Sequence, residues 1–439
     1  MKKIIKKFSP YFIFDIYYYV LAILGAFIYS FPSNKMVVIG VVGTKGKTST
    51  VNFIWSTLMA GGIKTGIIST ANIRIGNDES LNKYHMTMPG RLTIQSLMSK
   101  MVKSGCRYCI VETTSEGIKQ HRHIGINYDI LVFTNITPEH LQSHENSFDK
   151  YKEAKAKVFK DLSKGHKKII DGKAIEKTII VNNDAKYADY FLNFNADKKI
   201  TFGINNIADY KVTNVINDQN GVNFNVNNKE TYSLQILGLF NIYNALPAII
   251  VSELAFIDNS NIKKGLKDLR VIPGRMEIIN LNQNFTVIVD YAHEKESITN
   301  ILQTANTIRK EGSKVIIIIG AEGGGRDKAK RPIMGELSAK MADYVIVTNV
   351  DPYDDDPVEI LEDIATSSEK FGKIREKNLF VIEDRREGIK KALSLAKKDD
   401  IVLITSKGAE QSMIIKGKSL PWDDRKVVKE ELTTLLQSQ

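Results

Sequence analysis

Short runs of β-branched residues alternate with segments of helical period along most of the chain. The first, Lys35-Met-Val-Val-Ile-Gly-Val-Val42, is an unbroken apolar run, the pattern of a strand buried on both faces. A glycine-bearing loop follows it, and residues 51–61 then place apolar side chains at helical spacing. Further strand-like runs fall at 65–70, 108–112, 130–135 and 178–182, with helical patterns between them. This alternation predicts an α/β fold, a doubly wound parallel sheet. Residues 201–236 change the rhythm. They are polar and rich in Asn, with alternation such as Val222-Asn-Phe-Asn-Val226, and predict antiparallel strands appended to the same domain.

Pro273-Gly274 interrupts the pattern, and a second series begins at 285–289, 314–319, 344–348, 378–382 and 401–405, again with helices between. A second, Rossmann-like α/β domain is therefore expected. The organisation read from the sequence is an N-terminal segment 1–35, a central domain 36–270 and a C-terminal domain 271–439. A chain of 439 residues has room for it at roughly 100–200 residues per domain.

Composition narrows the partners only a little. With 43% hydrophobic and 25% charged residues, the chain is an ordinary globular one. A net charge of +11 suits anionic partners such as nucleotides, phosphorylated sugars or an acidic membrane surface; a solvated, Lys-rich surface explains it equally well. The basic residues are dispersed without an aromatic-interleaved stripe, so nucleic acid is not expected. Cys106 and Cys109 form a lone C-x-x-C in an apolar run. Without a second ligand pair they cannot make a four-ligand zinc site and read as buried core thiols.

The strongest chemical signal is the loop Gly43-Thr44-Lys45-Gly46-Lys47-Thr48-Ser49. Strand, glycine-rich loop and helix is the order that lets backbone N–H groups close around phosphate oxygens. Lys47 would neutralise the outer phosphates, and the Thr48 hydroxyl would hold Mg²⁺. Only two residues separate the glycines, where the common loop has four.

ATP chemistry bears on the N-terminus. Lys2, Lys3, Lys6 and Lys7 precede a Tyr- and Phe-rich stretch, 11–31, whose only charge is Asp15. Its length suits a membrane span, and the basic flank resembles a signal peptide. A single span with the lysines inside would leave everything after residue 35 outside the cell, away from ATP. The expectation is a cytoplasmic protein whose residues 1–31 either touch the inner membrane face or pack on its first domain; the sequence does not separate the two.

The shortened loop resembles the Gly-Thr-Asn-Gly-Lys-Thr loop of Mur ligases and folylpolyglutamate synthases. The likeness continues in order from about residue 36 to 435 through Thr87-Met88-Pro-Gly90, Glu112-Thr-Thr114-Ser-Glu-Gly117, Gln120-His-Arg122, Thr134-Asn-Ile-Thr-Pro-Glu-His140 with His144, and Tyr151-Lys-Glu-Ala-Lys155. Gly238-Leu-Phe-Asn241-Ile-Tyr-Asn244, Pro273-Gly-Arg275-Met-Glu277, Asp290-Tyr-Ala-His293 and Gly324-Gly-Arg326-Asp-Lys complete it. The series is most similar to the Mur ligases that add the third residue of the peptidoglycan stem peptide.

That resemblance implies an ATP- and Mg²⁺-dependent amide ligase, working through an acyl phosphate on a UDP-MurNAc-dipeptide and an amino acid, and a monomer is expected. It implies a first Mg²⁺ on Thr48 and Glu112, a second on His140, and a carbamylated Lys155 as an oxygen ligand, since a bare ammonium cannot ligate a cation. Asn241 and Asn244 would meet adenine, Arg275 the phosphates and Asp290 the ribose; His293 contacts nucleotide or orients its loop. Thr87, Met88, Thr114, Gln120 and Arg122 would bind the anionic substrate; Arg326, Asp351, Tyr353, Lys407 and Glu410 would receive the amino acid. His85, His121, His123 and His144 read as structural, and His166 carries no signal.

Three departures stand out. Only some 35 residues precede the loop strand, where the family carries a uridine-binding domain, so the expectation is that the uridine end is held differently, that the substrate differs, or that a partner supplies the site. Tyr353 stands where the family's Asp-Asn-Pro-Arg places the arginine that grips the distal carboxylate of diaminopimelate, and Tyr cannot supply that bidentate charge. Asp354-Asp355-Asp356 suits a cationic amine such as lysine, or a solvated turn. Ser406-Lys407-Gly408-Ala409-Glu410 replaces Gly-Lys-Gly-His-Glu, and Glu116 replaces a family His. A folylpolyglutamate- or cyanophycin-type ligase and a non-catalytic P-loop protein at the membrane are the alternatives.

Overall fold

A computed structural model of the protein describes residues 11–84, 86–139, 141–218 and 221–437. The chain divides into two compact units: Met1–Val215, Asn223–Ser233 and Asn241–Leu269 in one, and Ile216–Val222, Leu234–Phe240 and Arg270–Gln439 in the other.

The first unit opens with helix α1 (Tyr11–Ile28), followed by β1 (Val37–Val42) and α2 (Lys47–Ala60). Then come β2 (Thr65–Ile68), β3 (Asn72–Ile75), β4 (Asp78–Leu81), α3 (Arg91–Lys103), β5 (Tyr108–Thr113), α4 (Ser115–Lys119), β6 (Ile130–Phe133) and α5 (Phe148–Leu162). β7 (Thr178–Asn182), β8 (Lys198–Gly203), β9 (Tyr210–Asp218), β10 (Gly221–Val226) and β11 (Glu230–Leu234) extend the sheet, and α6 (Phe240–Leu254) and α7 (Asn259–Asp268) complete the series. The sheet order is β11-β10-β9-β8-β7-β6-β1-β5-β2-β3-β4. All six residues of β1 are buried, as its continuous apolar run requires, and it pairs in parallel with both β5 and β6. The chain works outward from β1 on one side, then crosses to β6 on the other. That reversal opens a crevice beyond the carboxyl end of β1, the usual ligand position in such sheets.

The expectation for residues 201–236 holds in part. β8 pairs in parallel with β7 and with the start of β9, whereas β10 and β11 are joined by a three-residue turn and meet through Thr231–Asn225 and Ser233–Asn223, the register of an antiparallel hairpin. The Asp184 carboxylate accepts from the N–H groups of Ile204, Asn205 and Asn206, and so fixes the loop that leads to the parallel pairing of β8 with β9. Cys106 and Cys109 are buried and free.

The second unit carries β12 (Glu277–Ile279), β13 (Thr286–Val289), α8 (Lys295–Ile308), β14 (Val315–Ile319), α9 (Lys330–Met341), β15 (Tyr344–Val347), α10 (Pro357–Lys370), β16 (Leu379–Val381), α11 (Arg385–Leu395), β17 (Ile401–Ile404) and α12 (Asp424–Gln437). Its sheet order is β12-β13-β17-β14-β15-β16, and only β12 runs antiparallel to its neighbour. Asp356 and Asp384 cap α10 and α11 by accepting the N–H groups of Val358 and Glu387. Because β13, β14, β15 and β17 are parallel, the loops after them gather Asp290, Arg326, Asp351 and Lys407 at one edge.

Candidate active site

The loop after β1 is built to stay open. Gly46 caps α2 at φ 78°, where a Cβ would lie 2.2 Å from Asn244 Oδ1. A Cβ on Gly43 would lie 1.9 Å from Thr134 Oγ1. Neither position tolerates a side chain, so backbone N–H groups line the cradle at a helix N-terminus. The loop is pinned from β6's side: Asn135 accepts the Thr44 N–H through its carbonyl at 2.9 Å and the Lys45 N–H through Oδ1 at 2.8 Å. Thr134 donates to the Lys45 carbonyl at 2.8 Å, and Lys45 pairs with Glu139 at 2.6 Å. Lys47 Nζ reaches the Thr44 carbonyl at 2.9 Å. Ser49 is buried in the first turn of α2.

Two further side chains close on the same point. Thr48 Oγ1 donates to Glu112 Oε2 at 2.9 Å, and that oxygen also accepts the Thr70 N–H at 2.8 Å. From α5, Lys155 Nζ donates to the Gly43 carbonyl at 2.8 Å and lies 4.4 Å from the centre of the Tyr151 ring. Ser147 caps that helix, and Tyr151, one turn before Lys155, shares a hydrogen bond of 2.9 Å with Thr44 Oγ1. Lys155 is only 2% exposed. Burial, reinforced by the charge of Lys47, pushes its amine well below the ordinary lysine range, against the pull of Glu139.

From Thr70 the bonding runs on to the next loop, since Thr70 and Thr87 share a hydroxyl hydrogen bond of 2.8 Å. Beside Thr87, the Met88 carbonyl accepts from Arg122, and Arg122 also donates to Gln120 Oε1 at 2.6 Å. The Met88 side chain is fully buried, so it offers a ligand only its backbone. Thr114 caps α4 by accepting the Gly117 N–H at 3.1 Å. Burial lowers His144, whose Nε2 faces Ser115 Oγ at 3.1 Å.

In the second unit, Gly274 (φ 61°) passes so close to the 408–409 backbone that a Cβ would meet Ala409 N at 2.1 Å. Asp290 Oδ2 holds this turn through the Met276 N–H, and Oδ1 holds the Ala292 N–H, each at 2.8 Å. The Arg275 guanidinium lies 4.5 Å over the Tyr291 ring. His293 Nδ1 faces the Tyr291 carbonyl at 2.6 Å. Lys407, with a fully buried side chain, bridges Asp351 and Glu410 at 2.9 Å each. The Tyr291 hydroxyl donates to Glu410 at 3.0 Å, and that carboxylate pushes the phenol far up. Desolvation raises Glu410 despite Lys407. Arg326 pairs with Glu322 at 3.3 Å, which raises its guanidinium, and it hydrogen-bonds to Tyr353.

Residues 41–252 match the Mur ligase middle domain, and residues 274–408 match the Mur ligase, glutamate ligase domain. The UDP-N-acetylmuramoyl-L-alanyl-D-glutamate–2,6-diaminopimelate ligase of Bacillus cereus is 35% identical over 424 residues, 95% of this chain and 82% of the relative. The chain belongs to the Mur ligase family. The UDP-N-acetylmuramyl-tripeptide synthetase of Treponema denticola is likewise 35% identical, over 91% of this chain and 77% of its own. Among solved structures, a UDP-N-acetylmuramoyl-L-alanyl-D-glutamate–2,6-diaminopimelate ligase superposes with TM-score 0.61 at 27% identity, covering 92% of this chain and 79% of that one. Mycobacterium tuberculosis folylpolyglutamate synthase, at 16% identity, shares the fold with TM-score 0.69 over 95% of both chains. As a Mur ligase, the protein is an ATP-dependent, ADP-forming amide ligase.

Of the residues expected in a Mur ligase site, the first unit brings together the 43–49 loop, Glu112, Lys155 and Asn244, which accompanies Asn241 at 2.9 Å. Thr87, Met88, Gln120 and Arg122 form a neighbouring group, and Arg275, Asp290, His293, Arg326, Asp351, Tyr353, Lys407 and Glu410 occupy the second unit. His140 and His85 lie outside the described residues. The structure adds Thr70, Thr134, Asn135, Glu139 and Tyr151 to the first unit's site, and Tyr291 and Glu322 to the second unit's group. Thr134, Asn135, Glu139, Tyr151 and Tyr291 stand inside the motifs that carried the family likeness; Thr70 follows a strand and bears no local signal.

Proposed function

We propose that this ligase extends a UDP-MurNAc-dipeptide by one amino acid, in the synthesis of the peptidoglycan stem peptide in the cytoplasm, with ATP as the phosphoryl donor. The observation that carries the reading is the hydrogen-bonded line Thr48–Glu112–Thr70–Thr87, which runs from the phosphate cradle to the loop beside Gln120 and Arg122. Names borne by relatives that match over nine-tenths of the chain support the substrate class.

The chemistry follows from these groups. Backbone N–H groups of 46–48, at the N-terminus of α2, and the Lys47 ammonium hold the nucleotide's phosphates and draw off charge as the γ-phosphoryl group transfers. A substrate carboxylate oxygen bonds to phosphorus while the bond to ADP breaks. The amine of the incoming residue then adds to the acyl carbon, phosphate leaves, and the amine gives up a proton. Arg122 and Gln120 hold the anionic acceptor in line; Glu410, Lys407 and Asp351 hold the amino acid.

The residues present fit Mg²⁺: Thr48 Oγ1 and the Glu112 carboxylate are hard oxygen donors 2.9 Å apart in a cradle no Cβ can enter. Thr48 and Glu112 would hold a first ion and His140 a second, with a carbamylated Lys155 as a further oxygen ligand, and when bound Mg²⁺ supplies charge neutralisation at the phosphates. Burial that lowers the basicity of Lys155 favours carbamylation. In that step the unprotonated amine would bond to the carbon of CO₂ and lose a proton, giving an oxygen donor in place of a cation. The test is product analysis: ATP, the dipeptide substrate and the right amino acid should give stoichiometric ADP and a product heavier by one residue. ADP formed without that product refutes the reading.

A further inference from the structure

Helix α1 is apolar all round, and only half of it is covered. Ala22, Gly25 and Ala26 are buried against the first unit, and a Cβ on Gly25 would sit 3.3 Å from the Arg91 carbonyl. The Arg91 guanidinium lies 3.8 Å over the Tyr18 ring, and Asp15 pairs with His121 at 2.7 Å. These contacts fix which side faces out. On that side Ile16, Tyr17, Val20, Leu24, Phe27 and Ile28 recur at helical spacing, each 47–69% exposed. They form one continuous stripe along a helix of 18 residues, about 27 Å long. Soluble surfaces seldom leave such a stripe bare without an occupant.

We propose that this stripe docks α1 on the surface of an anionic lipid bilayer. Among the described residues, no helix is long and apolar enough to cross a membrane, and α1 has one side committed to the protein. A helix of this kind lies in the interface plane, its apolar face at the acyl boundary. Tyr and Phe are side chains suited to that depth. Charge selects the lipid: the sequence places Lys2, Lys3, Lys6 and Lys7 just before α1, and the only acid in the helix is already paired with His121. Docking would hold the 120–122 loop, which α1 contacts through His121, close to the membrane. The proposal rests on the fold and not on the ligase reading.

The test uses the full chain, with vesicles of phosphatidylcholine and phosphatidylglycerol in equal parts against phosphatidylcholine alone. Phe27→Trp should blue-shift and be quenched by brominated lipid, only with the anionic vesicles and less at high salt. Val20→Glu with Phe27→Glu should weaken co-sedimentation by roughly tenfold or more while leaving nucleotide binding intact. Failure of the wild-type chain to bind anionic vesicles overturns the proposal, as does equal binding by the double variant. A wild-type dimer in gel filtration that the double variant dissociates would assign the stripe to a second copy instead. Should the double variant misfold, the Phe27→Trp spectrum decides alone.

Discussion

The amine of Lys155 donates to the carbonyl oxygen of Gly43 across 2.8 Å, so a lysine from α5 is plugged into the first residue of the phosphate loop. Its place explains its depressed basicity. Lys155→Ala should lower turnover about a hundredfold or more, with partial recovery on adding formate or acetate. Activity of the wild type should fall in CO₂-depleted buffer and return with bicarbonate. Steady-state rates decide; undiminished activity in Lys155→Ala rules out the carbamate.

The same burial carries a pH signature. In the unfolded chain this lysine binds a proton below about pH 10.4, whereas the folded chain resists until well below that. Between the two values the unfolded state holds more protons, so stability rises with pH across that window. Lys155→Met should remove this slope. Thermal unfolding in CO₂-free buffer should show the variant's relative stability greatest at low pH and shrinking as pH rises; parallel profiles would contradict the shift.

Gly46 and Gly62 both sit at φ 78°, but only Gly46 has a neighbour where a Cβ would go. Gly62→Ala should cost about 1–2 kcal/mol of stability from backbone strain and leave ATP binding unchanged. Gly46→Ala should add a clash with Asn244 and weaken ATP binding at least about tenfold by calorimetry.

Lys407 is enclosed between two carboxylates. Lys407→Met would leave Asp351 and Glu410 facing each other without their cation, at a cost of about 3–5 kcal/mol. A lowered urea midpoint, together with a raised KM for the amino acid, is the expected result.

Tyr353 stands beside Arg326, and the resemblance to Mur ligases implies an arginine at its position. Tyr353→Arg should raise kcat/KM for meso-diaminopimelate relative to L-lysine by about tenfold, because a second planar cation can grip the distal carboxylate. An unchanged ratio would remove Tyr353 from amino-acid selection.

Much of this architecture is written locally. β1, β6, β14 and β17 are continuous apolar runs because parallel strands are buried on both faces. Partners are not local. Nothing in residues 198–218 announces that β8 pairs in parallel with its neighbours, since Asp184, far back in the sequence, sets that loop. Thr70 meets Glu112 only because β2 lies beside β5. The N-terminal helix was ambiguous for a related reason: a stretch apolar on every side does not say which side the protein will cover, and the burial of Ala22 and Ala26 answers that.

The most direct measurement is phosphate release by the purified protein with ATP, UDP-MurNAc-L-Ala-D-Glu and a panel of amino acids including L-lysine and meso-diaminopimelate. Release that requires the nucleotide substrate together with one amino acid is the predicted result. Release that ignores the dipeptide, or none with any amino acid, would contradict the assignment of this carboxylate as the one the enzyme activates.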